Sequence, residues 1–234
     1  MKTITIHQPQ YLPWIGLLEK ICMSDIYILL DNVQFNKRSF QNRALYSTKE
    51  GGKYLTIPVH SKKHQINSLE IKDLTFSDES GKICKQHFET LRHRYGKTLG
   101  WKQFNREIED FFFKEYETAF DLIYNSMLFT LELFGIKKEI VRASELDGEG
   151  NKNDLLIDLI KKAEGGIYLS GVGAKNYMDE DLFNYEGIQV IYQQFNHPIY
   201  NQSHGGDFVQ GSMALEFLLE SPNEAKLYLE SIVK

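Results

Sequence analysis

The residues best suited to chemistry stand at the start of the chain, where His7 and Gln8 directly follow the β-branched segment of residues 2–6. A histidine titrates near neutral pH and acts as a general acid or base, and a glutamine side chain both donates and accepts hydrogen bonds. Tyr11 and Trp14 follow in a segment stiffened by prolines, and their rings could stack on a base or a sugar. This pattern predicts a ligand site at the end of a first strand, where open α/β sheets bind ligands. The alternative is a structural turn whose aromatic rings fill the edge of the core.

A second group of candidate residues follows the next predicted strand, which is the apolar run that ends at Asp31. Asp31 could accept a proton from an amine, pair with a basic residue or bind a metal ion. The window from Phe35 to His64 then holds seven basic residues against one acid, in a chain whose net charge is −5. This contrast favours an anionic small molecule over a nucleic acid, which usually binds a basic domain. For Lys49, Lys53, Lys62 and Lys63 the favoured interpretation is instead a solvated loop rich in lysine.

Two later segments again place polar side chains after an apolar run. Ser170 and Gly171 belong to a Ser-Gly-x-Gly sequence that follows a predicted strand, and backbone N–H groups at a helix start bind phosphate or carboxylate. The sequence matches neither the Walker loop nor the six-residue Rossmann fingerprint. His197, in the segment that ends at Gln202, is a second candidate base.

Because the carboxyl ends of parallel strands share one edge of a sheet, we predict that these segments line a single pocket. The predicted catalytic residues are His7, Asp31 and His197. The predicted substrate-binding residues are Gln8, Tyr11, Trp14, Lys20, Gln34, Lys37, Arg38, Asn42, Arg43, Ser170, Gly171, Tyr200 and Gln202. The sequence predicts no metal site and names no cofactor.

The elements that must position these residues alternate between strands and helices. We therefore predict an α/β fold with a mostly parallel sheet flanked by helices and a long, aromatic-rich helical insertion. Residues 1–234 are expected to form one domain, with the helical insertion at about 81–135. Gly51 and Gly52 are expected to join a hairpin, and the stretch from Ser212 onward is expected to be helical with a break near Pro222.

Composition places the chain among ordinary globular proteins, with 42% hydrophobic and 25% charged residues in 234. We expect no membrane span, since no apolar run approaches 18 residues, and no signal peptide. Cys22 and Cys84 show neither metal-ligand nor disulfide spacing. The expected location is the cytoplasm, and the sequence does not indicate an oligomeric state.

The opening segment also resembles a known family signature. His-Gln-Pro-x-Tyr-Leu-Pro-Trp-x-Gly at residues 7–16, followed by Lys20, is similar to the signature of the WbqC-like protein family. The segments that begin at Asp31, Tyr168 and His197 resemble later parts of the family pattern. The resemblance implies a role in bacterial O-antigen or other surface-polysaccharide biosynthesis, and it implies no defined reaction.

Three functions are compatible with these residues and with the pathway that the resemblance implies. The first is a transferase that acts on a nucleotide-linked amino sugar, by N-acyl or aminoacyl transfer, with an anionic nucleotide sugar as its small-molecule partner. The second is nucleotidyl transfer to a small acid or phosphate, although Trp14 stands where a second histidine would be expected. The third is a protein that binds a glycan precursor without turnover.

Overall fold

A five-stranded parallel sheet forms the centre of the structure, a computed structural model that describes residues 1–60 and 69–232. Numbered in chain order, its strands are β1 (Lys2–His7), β2 (Ile26–Leu29), β5 (Glu139–Arg142), β6 (Gly165–Ser170) and β7 (Gln189–Tyr192). Their order across the sheet is β5-β2-β1-β6-β7, and all neighbours are parallel. The sheet confirms the predicted α/β fold. Strands β3 and β4 form a separate hairpin.

Both faces of this sheet are covered, as the isoleucine-rich strands predict. Ile4 and Ile28 belong to a hydrophobic cluster with helices α5 (Asn153–Lys162) and α6 (Glu180–Tyr185). Tyr27 and Leu29 face the larger cluster, together with α1 (Ile15–Cys22) and the carboxyl-terminal helices α7 (Ala214–Glu220) and α8 (Pro222–Ile232). Successive residues of β2 therefore contact the two clusters in turn, because side chains along a strand point to opposite faces of the sheet.

The strand order creates a switch point between β1 and β6. From β1 the chain proceeds through β2 to β5 on one side, whereas β6 and β7 extend the sheet on the other side. The helices that leave β1 and β6 therefore diverge, and they open a crevice beyond the carboxyl ends of these two strands. Open α/β proteins bind ligands in such a crevice.

The hairpin and the helical insertion lie between β2 and β5. Strands β3 (Arg43–Thr48) and β4 (Gly51–Thr56) are antiparallel, and Lys49 and Glu50 form the turn between them. The glycines predicted as the turn instead begin β4, where Gly51 has a φ of 109°. The insertion contains three helices, α2 (Ser80–Tyr95), α3 (Leu99–Phe112) and α4 (Ala119–Leu133), whose aromatic residues pack into the larger cluster.

A few local predictions differ from the structure. The sequence from Leu69 to Ile71 favours a short strand, whereas the structure has a single β-bridge at Glu70 followed by a 3-10 turn at Ile71–Asp73. Lys62 and Lys63, which the sequence placed in a basic loop, lie outside the described residues.

Cys22 and Cys84 are free and buried. Within the described part of the chain, no helix combines the length and hydrophobicity needed to cross a bilayer.

Candidate functional site

A pocket of about 260 Å³ lies at the switch point between β1 and β6. Its lining comes from the end of β1, from helix α1 and the residue before it, from the end of β6 with the loop that follows, and from the residue after β7. The lining includes the side chains of His7, Trp14, Lys20, Ser170, Tyr177 and Gln193. The structure therefore brings the first and third predicted segments together at the edge of the sheet where the sequence placed them.

Lys20 is the most unusual residue of this pocket. Its side chain is buried in the last turn of α1, with 5% of its surface exposed. It makes no hydrogen bond or ion pair with any residue that the structure describes. Burial without a counterion disfavours the ammonium form and lowers the pKa of Lys20 to about 8. A buried, unpaired cation that lines a pocket favours binding of an anion.

His7 occupies the end of β1 and is held in one tautomer. Its Nδ1–H donates to the backbone oxygen of Gln8 at 2.8 Å, which leaves Nε2 as an acceptor with no partner among the described residues. Burial, with a further contribution from the charge of Lys20, lowers the pKa of His7 to about 3. The free protein therefore presents a neutral imidazole beside a cation at neutral pH.

Trp14 lines the pocket, and its indole lies close to the backbone of Gly16, which has no side chain. A Cβ at Gly16 would overlap the six-membered ring of Trp14, so the indole can lie against the first turn of α1 only above a glycine. The ring also packs edge-to-face on Phe195, with centroids 4.8 Å apart. The Trp-x-Gly part of the motif is thus explained by a close contact.

Gln193 and Tyr177 also line the pocket, although neither is among the predicted site residues. Gln193 follows β7 directly, and its Nε2 donates to the oxygen of Gly16 and to Oε1 of Glu19, both at 2.9 Å. These bonds hold the amide against α1. Tyr177 lines the pocket from the exposed loop beyond β6. The position of Gln193 at a strand end was the signal that could have identified it.

The structure places Asp31 outside this pocket. Its carboxylate is fully buried and accepts hydrogen bonds from Nε of Arg142 at 2.8 Å and from the hydroxyl and N–H of Ser144 at 2.7 and 2.9 Å. Both oxygens are therefore occupied by Arg142, the last residue of β5, and by Ser144 just beyond it, and the arrangement joins two neighbouring strand ends.

The predicted ligand-binding residues after Asp31 also lie away from the pocket lining. Asn42 donates to the oxygen of Ile57 at 2.8 Å, and the guanidinium of Arg43 lies 4.2 Å from the ring centroid of Tyr54. Gln8, which belongs to the first predicted segment, also lies outside the lining, and its side-chain oxygen accepts a hydrogen bond from Gln41 at 2.7 Å. The exposed residues of this group are Gln34, Lys37 and Arg38.

His197 has both ring nitrogens engaged by the backbone. Nδ1–H donates to the oxygen of Pro198 at 2.8 Å, and Nε2 accepts from the N–H of Gly211 at 3.0 Å. The ring packs edge-to-face between Phe195 and Phe208. This histidine therefore fixes the loop that precedes α7, and it does not line the pocket.

Tyr200 and Gln202 surround Glu216, a buried carboxylate on α7 to which the sequence assigned no role. Gln202 donates to it at 2.7 Å, the Tyr200 hydroxyl donates at 3.3 Å, and the N–H of Ser47 donates at 2.7 Å. The Tyr95 hydroxyl is a fourth donor. The cluster links α7 to the hairpin and to α2.

Tyr11 is also buried, and its hydroxyl donates to Nδ1 of His87 at 2.8 Å. Of the predicted site residues, His7, Trp14, Lys20, Ser170 and Gly171 line the switch-point pocket. No group of three His, Cys, Asp or Glu side chains in residues 1–60 and 69–232 is placed to hold a metal ion.

The fold and the pocket define an α/β protein with a candidate ligand site at the switch point of a parallel sheet. The model of the WbqC-like protein family matches residues 8–227, and the chain belongs to this family. It is also 26% identical over 231 residues to a Mycobacterium tuberculosis protein named "Uncharacterized protein Rv1507c", with 98% of each chain covered. No solved structure matches the chain at a significant level.

Proposed function

We propose that the protein is a transferase that acylates the amine of a nucleotide-linked amino sugar in bacterial surface-polysaccharide biosynthesis. The observation that carries this proposal is the unpaired Lys20 beside the neutral His7 in a pocket at the switch point. A cation recognises the negative group of the substrate, and an imidazole with a free Nε2 can accept the proton of an attacking amine.

The proposed reaction uses an activated acyl donor such as a thioester. The amine nitrogen attacks the acyl carbon, the carbon–sulfur bond breaks, and the proton that the amine loses passes through Nε2 of His7 to the departing thiolate. A pKa near 3 makes His7 a weak base in the free protein. An anion paired with Lys20 offsets one cause of this low value, so substrate binding raises the pKa of His7.

The test is turnover with purified protein, an acetyl thioester and a panel of nucleotide-linked amino sugars, followed by mass spectrometry of the product. We expect His7→Asn to lower the rate by about a hundredfold or more, as loss of a general base does. His93→Asn is the control, because His93 is exposed on α2. Full turnover in His7→Asn, or the absence of product across the panel, contradicts the proposal.

The low pKa of His7 favours one second candidate, a protein that binds a glycan precursor without consuming it. The same pocket serves both functions, because recognition needs Lys20 and Trp14 but no proton transfer. Tight binding of a nucleotide sugar that remains unchanged after prolonged incubation with acyl donors would select this second candidate.

A further inference from the structure

The switch-point pocket contains one positive charge. Among the described residues that line it, Lys20 carries the only ionised side chain, since burial keeps His7 neutral. Arg38 and Arg43, whose guanidinium groups suit phosphates, are absent from this lining. The pocket therefore matches a ligand group with a single negative charge.

The loop after β6 lacks the long α-helix that typically binds a diphosphate at its N-terminus. The segment Val172–Asn176 is a 3-10 helix of five residues. The phosphate sites at helix starts depend on the aligned peptide dipoles of a longer α-helix. A diphosphate carries at least two negative charges, and Lys20 alone would leave part of that charge uncompensated in a buried setting.

The size of the pocket points to a small group. Its volume of about 260 Å³ is below the roughly 300–1,000 Å³ of sites that enclose drug-sized ligands. A monosaccharide fits this space, but a base, a ribose and two phosphates do not fit beside it. The indole of Trp14 offers a flat surface for a sugar ring, and Ser170 and Gln193 offer polar groups for its hydroxyls.

We propose that the group held in this pocket is a sugar acid, with its ring against Trp14 and its carboxylate on the ammonium of Lys20. The inference rests on the pocket used in the proposed function and narrows the substrate to a sugar that carries a carboxylate. A nucleotide attached to this sugar lies outside the pocket.

The test is titration calorimetry with four probes that separate the carboxylate from the nucleotide: glucuronate, glucose, UDP-glucuronate and UDP-glucose. Wild type, Lys20→Met and the exposed-lysine control Lys85→Met are compared, with near-UV circular dichroism as a check of folding. We expect both glucuronate forms to bind wild type and Lys85→Met, and to bind Lys20→Met about tenfold or more weakly. Glucose and UDP-glucose, which lack the carboxylate, are expected to bind wild type about tenfold or more weakly than glucuronate and UDP-glucuronate do.

Each other outcome has a distinct meaning. Equal, Lys20-dependent affinities for UDP-glucose and UDP-glucuronate would place a phosphate on Lys20 and overturn the inference, while the proposed function would stand. Binding of glucuronate but not of UDP-glucuronate would support the inference and contradict a nucleotide-linked substrate. Glucuronate binding that survives in Lys20→Met, or the absence of binding by all four probes, overturns the inference.

Discussion

A buried ammonium group without a counterion is costly, which makes Lys20 the strongest sign of a ligand site in the described part of the chain. The lowered pKa corresponds to a free energy on the order of 3 kcal/mol that disfavours the charged form in the folded protein. Residues that act on ligands often destabilise the fold that carries them. A structural role would instead require a partner, and the described residues provide none.

Replacement of Lys20 by methionine should therefore stabilise the free protein. We expect Lys20→Met to raise the free energy of unfolding at pH 7 by about 1–3 kcal/mol, measured by urea denaturation, because the buried charge is removed. The unfolded lysine titrates near 10.5 and the folded one near 8, so the penalty is present below pH 8 and is lost as the pH rises toward 10.5. The difference in the free energy of unfolding between Lys20→Met and wild type should therefore disappear between about pH 8 and pH 10.5. A less stable variant at pH 7 would show that the ammonium is paired.

At the scale of elements, the contact between Trp14 and helix α1 shapes the pocket. We expect Gly16→Ala to displace the indole, because the added methyl group would overlap the ring. The measurement is the fluorescence of Trp14 in a Trp101→Phe background, together with urea denaturation. Gly81→Ala is a matched control, since Gly81 lies in α2 with open space around it, and it should be neutral or stabilising by up to about 1 kcal/mol. Unchanged Trp14 emission in Gly16→Ala would contradict the proposed packing.

The link between the hairpin and α2 should respond to acid through His87. This buried imidazole donates to the backbone oxygen of Thr56 and accepts from Tyr11, and burial lowers its pKa to about 4. The unfolded histidine titrates near 6.5, so the unfolded state binds more protons below that pH and stability is lost as the pH falls toward 4.

The expected consequence is a difference between His87→Gln and wild type in their dependence on pH. From pH 7 to pH 5 the wild type should lose about 2 kcal/mol more free energy of unfolding than the variant, as measured by urea denaturation at both values. His93→Gln, on the exposed side of the same helix, should retain the wild-type loss. Equal losses in wild type and His87→Gln would show that His87 is not the group that titrates.

At the scale of the whole molecule, the pocket exists because the strand order of the sheet reverses in its middle. β1 lies between β2 and β6, and the reversal of strand order next to it opens the crevice that His7 and Ser170 line. The sequence predicted this architecture well, because Ile-rich runs alternate with amphipathic helices and each signal is local. That the chain forms one domain stays a prediction.

The composition of the site was less predictable, for a physical reason. His7, Trp14 and Lys20 lie within one strand–loop–helix unit, so their proximity follows from local structure. Asp31 and His197 depend on partners far along the chain, Arg142 and Gly211, whose hydrogen bonds no local pattern reveals. The position of a residue at a strand end predicts the edge of the sheet where its side chain lies. It does not predict whether the polar atoms of that side chain already form hydrogen bonds with distant parts of the chain.

The central claim, that Lys20 is an unpaired amine open to a ligand pocket, is tested most directly by its chemical reactivity. Trace acetylation with acetic anhydride over a pH series, read by peptide mass spectrometry, gives the titration of each lysine. Labelling of Lys20 is expected to rise with a midpoint near pH 8, and a bound sugar acid is expected to protect this lysine from labelling. A midpoint near the ordinary lysine value of about 10.4, or a Lys20 that is never labelled, would contradict this claim.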